Sequence, residues 1–114
     1  MAEETKEAQH KEPTKQQIAD WKKKHDCKDI HVCKAIDPDD KEVKKAYFRT
    51  PNLVDMQRAA ASEKAKTGSF NQSIFENCLL DCHPDIKAKE PLYIGVIGQM
   101  DQIAVIAEVS VEKL

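Results

Sequence analysis

Proline and helix-capping residues divide the second half of this chain into short segments, and that division limits what it can fold into. Thr50-Pro51 predicts a helix start, with the threonine as N-cap and proline at the first helical position. Ser69-Phe70-Asn71-Gln72 matches a capping box that opens the next helix. His83-Pro84 predicts the end of that helix, because a residue before proline is disfavoured in the helical region. Glu90-Pro91 then opens a third segment.

Apolar residues recur at helical spacing within each of these segments. The first runs from Leu53 to about Lys66, and Gly68 closes it. The second carries Phe70, Ile74 and Cys78 on one stripe. The third has a longer apolar set, namely Leu92, Tyr93, Val96, Ile97, Met100 and Ile103. Its end, residues 105–111, is rich in β-branched side chains and is predicted to be extended.

The first half of the chain predicts a charged tail, a short helix and a hairpin. Residues 1–13 are mostly polar and are predicted to be a disordered tail. Thr14-Lys15-Gln16-Gln17 matches a capping box, and the helix it opens ends near the basic run Lys22–Lys24. Two extended stretches, 30–36 and 42–49, flank a turn rich in proline and aspartate. The sequence therefore predicts one α+β domain over residues 14–114, with a short N-terminal helix and β-hairpin followed by a small helical bundle.

Composition and charge narrow the classes of function. The 114 residues carry a net charge of −2, which argues against a nucleic-acid binder as the default. Residues 14–70 hold 13 basic and 9 acidic groups, whereas residues 71–114 hold 3 and 7. This asymmetry predicts either two solvated faces or head-to-tail association of copies. The absence of a run of about 18 apolar residues argues against a membrane span, and the first residues lack a signal-peptide pattern, so the cytoplasm is the predicted location.

The cysteines and histidines raise the question of a metal site. Cys27 and Cys33 lie near two histidines, and Cys78 and Cys82 precede His83. Zinc accepts such mixed ligands, but neither cysteine pair has the two-residue spacing of a usual zinc knuckle. On a helix, Cys78 and Cys82 would share one face, where a free thiol packs as a small apolar group. We therefore expect no metal and no cofactor; if zinc binds, its ligands are Cys27, Cys33, Cys78 and Cys82. Disulfides are a further alternative, against which the predicted cytoplasmic location argues.

A search for catalytic motifs finds none. The chain has no phosphate-binding glycine loop, no nucleophile elbow and no zinc-protease helix motif. The acidic turn at Asp37, Asp39 and Asp40 lacks the glycine and the final glutamate of a calcium loop. The prediction is a protein without catalytic residues that is not an enzyme.

Short motifs after residue 46 resemble those of the tail assembly chaperones of tailed phages and prophages. The stretch Tyr47-Phe48-Arg49-Thr50-Pro51-Asn52 leads into a helix, and Phe75-Glu76-Asn77-Cys78-Leu79-Leu80 closes the next. An apolar segment and a terminal Glu112-Lys113-Leu114 follow. The likeness covers residues 28–114, and the sequence departs from the family pattern at Asp81–Asp85, where a glycine-aspartate pair is common.

The resemblance implies a non-enzymatic protein that holds a helical tape-measure protein, or tail-tube subunits, in the bacterial host cytoplasm. Such a protein needs an exposed apolar groove, for which methionine is well suited. The candidate groove residues are Leu53, Met56, Ile97, Met100 and Ile103. The alternative is a small zinc-stabilised module that binds nucleic acid through Lys22–Lys24, Lys44 and Lys45. Homo-oligomers are compatible with either interpretation.

Overall fold

The computed structural model describes residues 11–104 and 109–114. In chain order its elements are α1 (Lys15–Lys24), β1 (Ile30–Ile36), β2 (Val43–Arg49), α2 (Leu53–Ala65), α3 (Phe70–Cys78), β3 (Leu79–Cys82), α4 (Pro84–Ala88), α5 (Glu90–Ile97) and a final 3-10 turn, Met100–Gln102. Helices and a small antiparallel sheet confirm the predicted α+β class. None of the described helices is long and apolar enough to cross a membrane.

The N-terminal helix begins where the capping pattern predicted. The Thr14 hydroxyl accepts a hydrogen bond from the Gln17 amide, and the Gln17 side chain accepts one from the Thr14 N–H. These reciprocal bonds satisfy two backbone donors that a helix start leaves open. Most of the predicted tail lies outside the described residues, but Glu12 within it forms an ion pair with Lys45 of the sheet.

The predicted hairpin is confirmed. Strands β1 and β2 pair without a break, from Ile30 opposite Arg49 to Ile36 opposite Val43. The turn between them is fixed by the Asp37 side chain, which accepts a hydrogen bond from the Asp39 N–H, as aspartates in turns commonly do.

A third strand replaces the end of a predicted helix, and this part of the prediction is wrong. Helix α3 ends at Cys78 rather than at His83, and β3 follows directly. Strand β3 pairs antiparallel with β2, with Leu79 opposite Phe48 and Cys82 opposite Ala46. The pairing satisfies the hydrogen-bonding groups of the second edge of β2, which a two-stranded hairpin would leave open. Cys78 and Cys82 therefore do not share a helix face.

Two further boundaries differ from the prediction. The N-cap of α2 is Asn52, which forms a capping box with Asp55, whereas the Thr50 hydroxyl donates to the carbonyl of Asp29 near the start of β1. The third apolar segment breaks at Gly98, after which a 3-10 turn carries Met100. Glycine is a poor helix former, so a helix of only eight residues ends there.

The core lies between the inner face of the sheet and α2 to α5. Phe48 of β2 meets Phe75 of α3 edge to face, with ring centroids 5.6 Å apart, and Phe75 meets Tyr93 in the same way at 5.3 Å. The buried cluster comprises Ala46, Phe48, Ala59, Ile74, Phe75, Cys78, Ile86, Val96 and Met100. This packing fixes which face of the sheet remains available at the surface.

Candidate functional site

The outer face of the sheet carries an exposed apolar patch. Residues that lie opposite each other in an antiparallel pair point to the same face. Because Phe48 and Ala46 point into the core, Val32, Ile36 and Val43 point to the other side. Their exposed fractions are 45%, 67% and 52%, respectively. We call these three side chains the outer patch; they form a surface on which another apolar element can pack.

Helix α1 covers the outer face of the sheet near Tyr47, which lies opposite Val32. Its contact with the sheet is made by Trp21, whose ring lies 6.2 Å from that of Tyr47. Lys34 and Lys45 lie directly opposite each other across β1 and β2, between the Val32–Tyr47 pair and the Ile36–Val43 pair. Like charges in that position are unfavourable, and the Glu12 carboxylate lies 2.8 Å from Lys45. The face therefore offers apolar contact area beside two cationic side chains.

A buried ammonium group holds the hairpin turn against α4. Lys44 points inward from β2 and is 1% exposed. Its Nζ lies 2.8 Å from Asp40 and 3.1 Å from Asp85, and 3.7 Å from Asp37. A second lysine, Lys89, donates to the buried Asp37 carboxylate at 2.7 Å. We call these five side chains the Lys44 cluster.

The electrostatics of the Lys44 cluster favour the charged forms of Lys44, Asp37 and Lys89. Burial by itself would lower the pKa of Lys44, but the hydrogen bonds to Asp40 and Asp85 outweigh it and raise that pKa. Hydrogen bonds from Lys89 and from the Asp39 backbone hold the pKa of Asp37 below its usual value. The cluster is thus a set of compensated charges with a structural role.

The carboxylates of this cluster form the one group of metal-ligating side chains that comes together among the described residues. Ligand atoms of Asp37, Asp40 and Asp85 lie within 4.8 Å of one another. The Lys44 ammonium already contacts all three carboxylates. The position that a cation would take is therefore filled by a side chain of the protein itself.

A second ion pair joins β2 to α2 and α3. The Arg49 guanidinium donates to both carboxylate oxygens of the buried Asp55, and its Nη2 also donates to the Asn77 carbonyl at 2.8 Å. Burial by itself would raise the pKa of Asp55, but hydrogen bonds from Arg49 and from the Asn52 amide lower it below the usual range. Bidentate pairs of this kind are among the strongest polar contacts in proteins.

These lowered carboxyl pKa values predict acid sensitivity. Above the ordinary aspartate pKa of about 3.9, Asp37 and Asp55 are charged in both folded and unfolded chains, and their stabilisation is complete. As the pH falls below that value, the unfolded chain takes up protons first, so we expect the free energy of unfolding to decrease. Urea unfolding followed by circular dichroism at pH 2 to 7 measures this. Asp55→Asn should have a shallower slope below pH 4, and an unchanged slope would contradict the assignment.

The cysteines do not assemble a zinc site. Among residues 11–104 and 109–114, no group of three or more convergent metal ligands includes Cys27, Cys33, Cys78 or Cys82. Burial raises the pKa of the Cys33 and Cys82 thiols, and it raises that of Cys78 to about 12. Thiols with raised pKa values are protonated at neutral pH and are poor nucleophiles.

The residues predicted from the sequence to form a client groove lie on the helical side of the protein. Met100 is 1% exposed and belongs to the core. Met56, Ile97 and Ile103 are half-buried and pack against that core, and Leu53 is exposed at the first position of α2. Most of this set is therefore occupied with internal packing, and its role in binding stays a prediction.

The outer patch was missed because both faces of β1 and β2 carry apolar side chains. A strand with Ile30, Val32 and Ile36 on one face and small residues on the other is normally predicted to bury the face that carries the large residues. The core instead takes Cys33 and Ala35, since the bulk on that side comes from Phe48 and the helices. The adjacent lysines in the same alternating positions were the available signal for a solvent-facing side.

Comparison of the chain with protein-family models, with curated proteins and with solved structures finds no match. Any function has to be argued from the residues and their geometry.

Proposed function

We propose that this protein is a non-enzymatic binding protein of the phage tail assembly chaperone type. It holds a helical, tape-measure-type client before tail assembly. The observation that carries the proposal is the outer patch, an exposed apolar surface on a sheet whose other face packs on the core.

The shape and charge of this surface match an amphipathic helix. A helix packs on a sheet through one apolar stripe, and α1 leaves that position open over the outer patch. The lysine pair Lys34–Lys45 lies between two other cross-strand pairs, Ile36–Val43 and Val32–Tyr47. A client helix with apolar residues at spacings of three and four, flanked by glutamate or aspartate, satisfies both features.

The state of the thiols supports a binding role over nucleophilic chemistry. Cys33, Cys78 and Cys82 all have raised pKa values, as described above. The most strongly charged group of residues, the Lys44 cluster, is internally compensated. Both observations assign these residues to the fold, whereas the side chains of the outer patch are exposed and available to a partner.

A matched pair of variants tests the proposal. Val43 lies in the outer patch with 52% exposure, and Val54 lies on α2 with 51% exposure. Val43→Asp removes apolar contact and repels acidic flanks, so we expect the affinity for the client to fall at least tenfold, equivalent to about 1.4 kcal/mol. Val54→Asp should bind as the unchanged protein does.

The client for this test is the long helical protein encoded beside the gene for this chain. Affinity is measured by calorimetry on purified proteins, after circular dichroism has shown that both variants are folded. Equal weakening by Val43→Asp and Val54→Asp would place the client on another surface. No binding by the folded, unchanged protein would reject the proposed function.

A further inference from the structure

The outer edge of β1 is a long, regular strand edge. In the sheet order β1-β2-β3, β1 pairs on one side with β2, and within the described residues no strand pairs with its other side. All seven residues of β1 pair with β2 in unbroken register, and Lys34 is the one lysine or acidic residue in the strand. Natural proteins usually protect such an edge with prolines, bulges or several charges, because it recruits other strands.

An apolar groove runs beside this edge. Ala35 and Ile36 of β1 form one wall, and Leu92 and Val96 of α5 form the other, around an open volume of about 510 Å³. Gly95 widens the groove, since a Cβ atom placed there meets nothing within 4 Å. A strand added to β1 would place alternate side chains in this groove.

A segment of the same chain has the pattern of such a strand. Val109 and Val111 alternate with Ser110 and Glu112, which puts the apolar side chains on one face of an extended chain. In the described structure Val109 is 77% exposed and Val111 is 95% exposed, so neither is packed against its own chain. Their apolar area is available to a partner.

The first described range also ends close to β1. Ile103, near the end of the first described range, lines a small cavity of about 110 Å³ together with His31, Val32 and Cys33. When the edge and the extended segment lie on the same side of a molecule, two copies can exchange segments around a twofold axis and close the assembly.

We propose that residues 109–114 of one copy add as a strand to the β1 edge of a second copy, in a reciprocal dimer. Val109 and Val111 enter the groove beside Leu92 and Val96. Lys34 is the one charged residue that lines the groove, and Glu112 of the arriving segment supplies the opposite charge. Main-chain hydrogen bonds to β1 provide affinity, and the groove provides selectivity.

This inference goes beyond the client proposal, and the two surfaces share Ile36 and Lys34. The dimer uses the edge of the sheet and the groove beside α5, whereas the client proposal is tested at Val43 on β2. Sedimentation of the protein alone can show a monomer while the client still binds. Equally, it can show a dimer while the client does not bind.

Sedimentation equilibrium on the full chain tests the proposal. At about 100 µM we expect the apparent mass to be that of a dimer. Val111→Lys should weaken dimerisation at least tenfold, whereas Ser110→Gln, one residue away on the polar face and without a charge, should leave it unchanged. Gly95→Phe should fill the groove and weaken the dimer, whereas Gly95→Ala should not. Hydrogen exchange of β1 amides should be slower in the dimer than in the Val111→Lys variant.

Three results would overturn the proposal. A monomer at all concentrations with fast exchange in β1 would mean that the edge is unoccupied. A monomer with protected β1 amides would mean that the segment pairs with its own chain. A dimer that survives both Val111→Lys and Gly95→Phe would mean that the copies associate through a different surface.

Discussion

Replacing Lys44 with methionine is expected to lower the free energy of unfolding by about 3 to 5 kcal/mol, the usual cost of removing one partner from a buried ion pair. Methionine has similar length and fits the same space, so packing is largely kept. The loss of the ammonium leaves the carboxylates of Asp37, Asp40 and Asp85 within 4.8 Å of one another, with Lys89 as the neighbouring cation that remains. Urea unfolding followed by circular dichroism measures the change.

Lys87→Met is the matched control for this experiment. Lys87 lies on α4, the helix that carries Asp85, but is exposed, so its loss should change stability by no more than about 0.5 kcal/mol. Millimolar Ca²⁺ should restore part of the stability of Lys44→Met, because three oxygen ligands become available to it, and should not affect the unchanged protein. A Lys44→Met variant as stable as the unchanged protein would show that the cluster does not support the fold.

Replacing Met100 with aspartate is expected to unfold the protein, at a cost of at least about 4 kcal/mol. Met100 is 1% exposed and packs in the core cluster with Phe75 and Val96, where an ionised carboxylate has no partner. Met100→Leu conserves volume and should cost less than about 1.5 kcal/mol. Proton NMR dispersion and circular dichroism distinguish the folded from the unfolded variant. A Met100→Asp variant that stays folded and loses only client binding would show that Met100 lines the surface groove predicted from the sequence.

The sequence predicted those helices and strands whose formation depends on residues close by in the chain. The capping residues at Thr14 and Ser69 mark true helix starts, and the hairpin of β1 and β2 follows from alternation and turn residues. Strand β3 was not predictable in this way. Its four residues continue an apolar helical pattern, and only pairing with β2, about 30 residues earlier, makes them extended.

The Lys44 cluster could not be predicted from the sequence for a similar reason. A lysine in an alternating strand is normally placed on the solvent side, and Lys44 is adjacent to Lys45, which does lie on that side. Its burial depends on Asp85, which is 41 residues away in the sequence and arrives with α4. The outer patch likewise required knowledge of which face the helices cover. The surface proposed to bind a client was therefore visible only after the tertiary arrangement was known.

The attachment of α1 has a consequence for the dynamics of the outer face. This helix has no fully buried side chain, and its ring contact with the sheet is a single tryptophan on Tyr47. Regions with few buried apolar contacts open at a lower free energy than the whole domain. We therefore expect helix α1 to detach transiently while β1 to β3 stay folded, and each opening to expose Tyr47 beside Val32. The area that a partner can reach is thus larger over time than the area exposed in the closed form.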